Sequence, residues 1–466
     1  MIKHRLYIFC FLSVLTCLFF ISCKKDSFIT SSSARLSTSA DSLKYDTVFT
    51  SVGSITQSFK INNLNDQKLL LSKIKLMGAD TSAFTINING HATSEVNNIE
   101  VAANDSIYIF VTVNINPTAT NLPFIIQDSI QIQYNGNTRF VQLQAYGQNA
   151  HFLKGETLAT NTNWVNDKPY VILDSFKIPE GLRLNISKGC RIHFHANAPM
   201  IVDGRLTVTG TKDEKVIFAG DRLDEEYKVL PASWPGIYFR ESSNNSNFIF
   251  AVIKNAYQAI VAVGPSATTK VNLHQTIIDN AYDAGILCVA STVKADNTLI
   301  SNCGKNIALF LGGTYTFTSC TVASYGNNFI SHKDPVLTVV NYDAQENTAD
   351  MTANFTNCIF WGDNGSVKDE VVISKKGTTP FTVAFTNCIY KAESIDADNY
   401  FTASKKNQDP LFDSVDVTKN YYDFHTATKP NAPGVDNGIN TLFNSDLDDN
   451  SRRVNGIEDI GAYEKQ

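Results

Sequence analysis

Six segments between residues 248 and 391 align without gaps: FIFAVIKN (Phe248–Asn255), LHQTIIDN (Leu273–Asn280), ADNTLISN (Ala295–Asn302), FTSCTVAS (Phe317–Ser324), FTNCIFWG (Phe355–Gly362) and FTNCIYK (Phe385–Lys391). The fourth place is always small: Ala251, Thr276, Thr298, Cys320, Cys358, Cys388. Successive fourth places are 25, 22, 22, 38 and 30 residues apart. Irregular self-similarity with a period near twenty residues marks a stacked solenoid.

The other places say which kind of solenoid. The first place holds Phe248, Leu273, Ala295, Phe317, Phe355 and Phe385, and the sixth holds Ile253, Ile278, Ile300, Val322, Phe360 and Tyr390. Inward positions on one strand differ by an even number, because side chains alternate. First and fourth places differ by three, so the chain must bend between them. The bend falls at the mostly polar third place: Phe250, Gln275, Asn297, Ser319, Asn357, Asn387. Two short strands meeting at a polar corner describe one coil of a parallel β-helix. At the eighth place Asn255, Asn280 and Asn302 suit a second corner, where Asn tolerates left-handed backbone and stacked amides can form a ladder. Apolar strands are predicted next, at Ala259–Val263, Gly285–Ala290, Ile307–Leu311 and Asn328–Ser331. The insertions 326–352 and 361–381 are predicted as loops on one flank. A leucine-rich solenoid would need repeated L-x-x-L-x-L, which this chain lacks.

The chain has 466 residues, 43% of them hydrophobic and 18% charged, ordinary values for folded domains with a real core. Long amphipathic helical patterns are scarce, which points to an all-β protein. At the N-terminus Lys3, His4 and Arg5 precede an apolar run, Leu6 to Ile21, too short to span a bilayer and broken only by Ser13 and Thr16. It ends in Phe20-Ile21-Ser22-Cys23, which resembles the lipobox of bacterial lipoproteins. That resemblance implies a signal peptide over 1–22 and lipidation at Cys23, with the outer membrane favoured by Lys24. The alternative is an ordinary secretory signal. Loss of Lys3 and Arg5 takes the net charge from −6 to −8, so no basic face for nucleic acid is expected. Residues 23–45 read as a flexible tether.

Six further cysteines follow: Cys190, Cys288, Cys303, Cys320, Cys358 and Cys388. Export would suggest disulfides. Yet three of the six share the fourth-place column, where a free thiol acts as a small apolar filler. Their redox state stays open at this point.

Residues 46–148 alternate as six or seven short strands separated by Asn, Asp and Gly turns, which suits a β-sandwich. The order Val48–Gly53, Ile61-Asn62-Asn63, Leu70–Ile74, Ala83–Ile86 and Val141–Gly147 resembles the Ig-like modules of the abnormal-spindle/Hydin type. A fibronectin-like sandwich is the alternative. Either implies a spacer or binding module. Residues 150–404 are assigned to the β-helix. Its first part (Pro169-Tyr170-Val171, Ile178–Ile186, Gly189–Phe194, Met200–Leu206, Val208–Thr211, Val216–Phe218 and Trp234–Phe239) resembles the first coils of right-handed, pectate-lyase-like β-helix proteins. Residues 405–466 are assigned to its C-terminal end. There Gln408–Phe412, Tyr422–Phe424, Asn431–Gly438, Asp446–Arg452 and Asp459–Glu464 resemble the choice-of-anchor Q family of bacterial surface proteins. That resemblance implies export and surface attachment and no activity.

Candidate chemistry is sparse. Asp446, Asp448 and Asn450 have the one-three-five spacing of a calcium loop, but Ser451 and Ile457 stand where Gly and Glu are required. A turn held by Arg452 or Arg453 pairing with these acids is the expected reading. His193 and His195 are expected to face outward on one strand, and Asp221, Asp224, Glu225 and Glu226 to form a solvated loop. Neither a Ser-His-Asp motif nor a phosphate-binding or dinucleotide loop is present. No catalytic, cofactor-binding or metal residue is assigned, and Cys23 is the one site residue. The expected protein is a monomeric surface lipoprotein of the bacterial outer membrane. It is held to the membrane through its N-terminal lipid, has polysaccharide as its candidate partner, and binds glycan or partner without catalysis. The alternative is a polysaccharide lyase or glycosidase. A lyase needs a base beside charge-neutralising groups, and a hydrolase needs paired carboxylates.

Overall fold

A computed structural model describes residues 27–50, 53–116, 124–225, 227–395, 399–426, 429 and 431–466. The expected signal peptide and the expected lipidation site Cys23 lie outside the described residues. The chain divides into two compact units, 1–148 and 149–466.

The first unit is a sandwich of two five-stranded sheets. One has the order Leu36–Thr38, Gln57–Asn63, Ser106–Val113, Phe84–Ile88, His91–Ala92. The other runs Ser42–Phe49, Asn137–Gln148, Phe124–Tyr134, Leu69–Leu76, Glu95–Val101. Strands such as Ser106–Val113 alternate buried and outward residues, and the inward sets (Phe59, Ile109 and Val111 against Leu71, Ile132 and Leu143) form one core. The expected tether is corrected here. Two of its strands are structural: Leu36–Thr38 pairs with Gln57–Asn63, and Ser42–Phe49 pairs in parallel with Asn137–Gln148. Tyr45, 2% exposed, crosses the core to donate its phenol proton to the Val111 carbonyl at 2.5 Å. Serines and threonines around it made this stretch look solvated, but Leu36, Leu43 and Tyr45 are buried.

The second unit is a parallel β-helix, a continuous sheet of 26 strands in which each strand pairs with its counterpart one coil on. Each full coil has three strand positions, as in Ser246–Ile249, Ala251–Lys254 and Gln258–Val263. The columns read from the sequence are its interior. First-place residues are Cα partners in turn, Phe248 to Leu273, Ala295, Phe317, Phe355 and Phe385. Sixth-place residues follow the same rule from Ile253 to Tyr390. The fourth-place residues Ala251, Thr276, Thr298, Cys320, Cys358 and Cys388 are all 0% exposed. In the later coils the first-place phenylalanines stack face to face. Phe317–Phe355, Phe355–Phe385 and Phe385–Phe401 centroids lie 5.4, 4.5 and 4.3 Å apart.

Backbone geometry accounts for the bend. All six third-place residues have left-handed φ, from 45° at Asn297 to 53° at Asn357. One left-handed residue turns the strand through the corner and lets three-apart residues both face inward. Asn accepts this at little cost, whereas Phe250 and Gln275 hold it at about 1–2 kcal/mol each. Asn255, Asn280 and Asn302 are left-handed as well. The expected amide ladder is a single rung: Asn280 Nδ2 donates to Asn255 Oδ1 at 2.9 Å. Asn280 Oδ1 instead accepts from Asn327, and Asn302 Oδ1 accepts the Tyr325 N–H.

Two expectations about the insertions are corrected. Residues 328–331 form no strand, and the third strand of that coil is Leu337–Val340, in register with Ile307–Leu309. The second insertion likewise carries Val371–Ser374, paired with Leu337–Val340. Each insertion is thus a loop plus the third strand of its coil. All six cysteines are buried and unbridged. Burial pushes the Cys190 thiol up to about 11.

If the phenylalanine stack ties the coils together, Phe355→Ala should destabilise the protein by about 3–5 kcal/mol, the cost of an aromatic-sized cavity. The urea midpoint of unfolding measures this, with the exposed-face substitution Thr356→Ala expected to leave the midpoint nearly unchanged.

Candidate functional site

A broad concavity of the second unit opens on the third strand position. Its floor is the outward face of Met200–Val202, Ile237–Phe239 and Gln258–Val263, represented by Ile201, Tyr238 and Val261. Pro199 and Pro235 edge it, and it encloses about 860 Å³, within the ~300–1,000 Å³ of ordinary ligand sites. The strands beneath are held by ladders on both sides, so the floor is rigid.

One wall carries the charge. Arg240 grips Asp203 in a bidentate pair, Nε to Oδ1 at 2.6 Å and Nη2 to Oδ2, and Lys177 reaches the same carboxylate at 3.3 Å. Arg240's hydrogen bonds, backed by Lys177, hold Asp203 below the usual carboxylate range against the opposing effect of burial. At neutral pH it is a fixed anion with no proton to give. Behind the wall Lys270, 0% exposed, donates to the Arg240 and Glu241 carbonyls at 2.8 Å each. Tyr238 is half-buried on the floor, and burial pushes its phenol above the ordinary value.

This groove is not among the sites expected from the sequence, although its signal is present there. Ile260-Val261-Ala262-Val263 and Ile286-Leu287-Cys288-Val289 are apolar at every place, where a strand with one wet face should alternate.

The histidines and acids singled out from the sequence lie elsewhere. His195 is exposed and bonds Asp221 at 2.7 Å. His193, expected outward and solvated, is corrected: it is 6% exposed, sharing a pocket with Leu223 and Tyr227. Burial lowers its pKa to about 4, so it is neutral at pH 7. Asp224 pairs with Arg222 at 3.0 Å and Glu225 with Lys228 at 2.5 Å, within their own loop. Glu226 lies outside the described residues.

The C-terminal segment is docked on the outside of the coils and receives the third-place corners. Asn387 donates to the Asn437 carbonyl, Asn357 exchanges bonds with Ile439, and Gln275 donates to the Asp446 carbonyl. Asn297 accepts from Arg452 at 2.6 Å. Asp446 has a turn-capping role: it accepts the N–H groups of Asp448, Asn450 and Glu464. Asp448 bonds His425, which also bonds Asp423. The arginines were expected to pair with Asp446 and Asp448. Instead Arg452, 0% exposed, pairs with Glu464 at 3.4 Å, and Arg453 pairs with Glu458 at 3.4 Å.

Two groups make this docking pH-dependent. Burial pushes Glu464 up to about 8. Burial opposes charge on His425, but Asp448 and Asp423 outweigh it and raise that imidazole to about 9. Both folded values lie above the unfolded ones, so both contributions are complete at low pH. Glu464's is lost from about 4.5 to 8, and His425's from about 6.5 to 9. The segment 409–466 should therefore become more accessible to limited proteolysis as pH rises from 6 to 9. Glu464→Gln should flatten the lower part of that profile, and His425→Gln the upper part.

No protein-family model and no curated protein matches this chain. Among solved structures it is similar to the catalytic unit of a GH87 alpha-1,3-glucanase from Streptomyces thermodiastaticus, at 9% identity and a TM-score of 0.28, over 75% of this chain and 88% of that one. A family 123 glycoside hydrolase from Clostridium perfringens aligns at 7% identity and a TM-score of 0.19, over 26% of this chain and only 30% of that enzyme. A PapD-like domain of human CEP192 aligns at 8% identity and a TM-score of 0.17, over 27% of this chain and 91% of that domain. All three TM-scores are far below that of a shared fold.

Proposed function

We propose that this protein is a surface-anchored lipoprotein of the bacterial cell envelope whose β-helix groove binds glycan without turning it over. The observation that carries the reading is the groove itself. It is an open, rigid concavity with an apolar floor and a tyrosine, bounded by a carboxylate already committed to two cations. Pyranose rings present apolar C–H faces and a hydroxyl rim. A tyrosine on an aliphatic floor matches the first, and a fixed polar wall matches the second. Hydrolysis asks for paired carboxylates, one of them able to donate a proton; Asp203 and Glu241 are the acids that line the groove, and Asp203 is held as the anion by Arg240 and Lys177. Anchoring rests on the Phe20–Cys23 lipobox.

Tyr238→Ala should weaken binding to a responsive polysaccharide by about tenfold, near 1.4 kcal/mol, without changing the melting temperature. Affinity electrophoresis over a panel of neutral and acidic polymers measures the binding. Parallel assays for new reducing ends and unsaturated products should stay blank. Turnover of any polymer would replace this reading with the lyase or glycosidase one.

A further inference from the structure

The apolar floor continues along the helix axis. Ile201, Tyr238, Val261 and Leu287 are Cα partners in sequence, one per coil, and the strip ends where the next partner, Ala308, is 0% exposed. All occupy the outward side of their strands, since their neighbours Met200, Val202, Ile286 and Cys288 are 0% exposed inside. Beside them Val263, Val289 and Phe310 form a second outward column. With neighbouring strands about 4.8 Å apart, these four partners cover about 14 Å. An outward sheet column is ordinarily polar, and a continuous apolar one marks a surface built to be covered.

Two polar walls run beside this strip. The first is Lys177–Asp203–Arg240. The second lies further along: Gln258 Nε2 donates to Asp283 Oδ2 at 2.6 Å, and Lys305 Nζ to Asp283 Oδ1 at 2.9 Å. Next to it Tyr257 and Tyr282, 45% and 50% exposed, stack at 5.9 Å. Each tyrosine follows a corner asparagine by two residues, and the next coil has Gly304 at that place. Gly304 brings no side chain to continue the stack over Tyr282. The charges of the two walls cancel: Lys177, Arg240, Lys270 and Lys305 stand against Asp203, Glu241, Asp283 and, beside Lys305, Asp334. Every floor strand is paired on both sides, so no backbone edge is free to receive a peptide by strand addition.

We propose that the ligand of this groove is an uncharged, unbranched polysaccharide lying along the helix axis, its sugar faces on the apolar strip and its hydroxyls on the two walls. This rests on the glycan-binding reading and narrows it. An anionic polymer would meet no surplus cation, and branches would strike the walls.

The test is titration of the full chain with three polymers at low and high salt: a linear neutral glycan, a linear uronate-containing one, and a branched polymer of the same neutral backbone. The linear neutral glycan should bind, with affinity changing by less than about twofold between salts, since no net ion pairing is made. Tyr282→Ala should weaken it about fivefold and Leu287→Lys about tenfold or more. Both variants should melt as the parent does, their side chains being half-buried or exposed. Salt-sensitive binding of the uronate polymer alone, or equal binding of the branched one, overturns this proposal while the glycan reading stands. Undiminished binding by both variants overturns it too. If none of the polymers binds, and a peptide library does so with loss on Leu287→Lys, both readings fail.

Discussion

The constraint on which the second unit depends is register. A parallel β-helix has one interior for all its coils, so each inward side chain must meet its counterpart one coil above and below. A slip of one residue would turn every inward side chain outward. Phe317, Phe355, Phe385 and Phe401 show what register provides: four rings in one stack, their centroids 4.3 to 5.4 Å apart. The fourth-place thiols Cys320, Cys358 and Cys388 show what it demands, because a larger side chain at that corner has no room.

Register also explains the corners and what lies on them. One left-handed residue per coil is needed to bend the strand, and its amide or hydroxyl then points away from the core. Left bare, the column would be a row of solvated turns. In this protein Gln275, Asn297, Asn357 and Asn387 instead bond the C-terminal segment. In that segment burial raises Glu464 to about 8, and the Asp448 and Asp423 carboxylates outweigh burial to raise His425 to about 9.

Much of this was legible in the sequence because periodic packing leaves periodic residues. The inward columns, the polar third place and the paired strands of residues 57–148 could all be read from spacing. What escaped was non-periodic or doubly apolar. Tyr45 and Leu43 sit in a Ser/Thr-rich stretch whose composition resembles a linker, yet they fill the sandwich core. Leu337–Val340 lies inside an insertion whose loop hid its phase. His193 alternates as an outward residue should, yet it is 6% exposed, sharing a pocket with Leu223 and Tyr227. The groove was hidden for a related reason. Outward residues Val261 and Leu287 look like core in a one-dimensional pattern, and only the stacking of strands reveals that they line a surface. The partners of Arg452 and Arg453 were equally invisible, because Glu464 and Glu458 are set by the path of the tail and not by local spacing.

The functional account inherits the same dependence, since the groove floor exists only if Tyr238, Val261 and Leu287 are brought side by side by coil stacking. Paired cysteines on the outer face test that stacking directly. Thr318 and Thr356 are Cα partners in adjacent coils, while Thr318 and Thr386 are two coils apart. Adjacent strands stand about 4.8 Å apart, within disulfide reach, and a two-coil gap does not. Mild oxidation followed by peptide mapping should find the 318–356 bridge in Thr318→Cys/Thr356→Cys and no bridge in Thr318→Cys/Thr386→Cys. A 318–386 bridge, or failure of both pairs, would contradict in-register stacking and with it the groove.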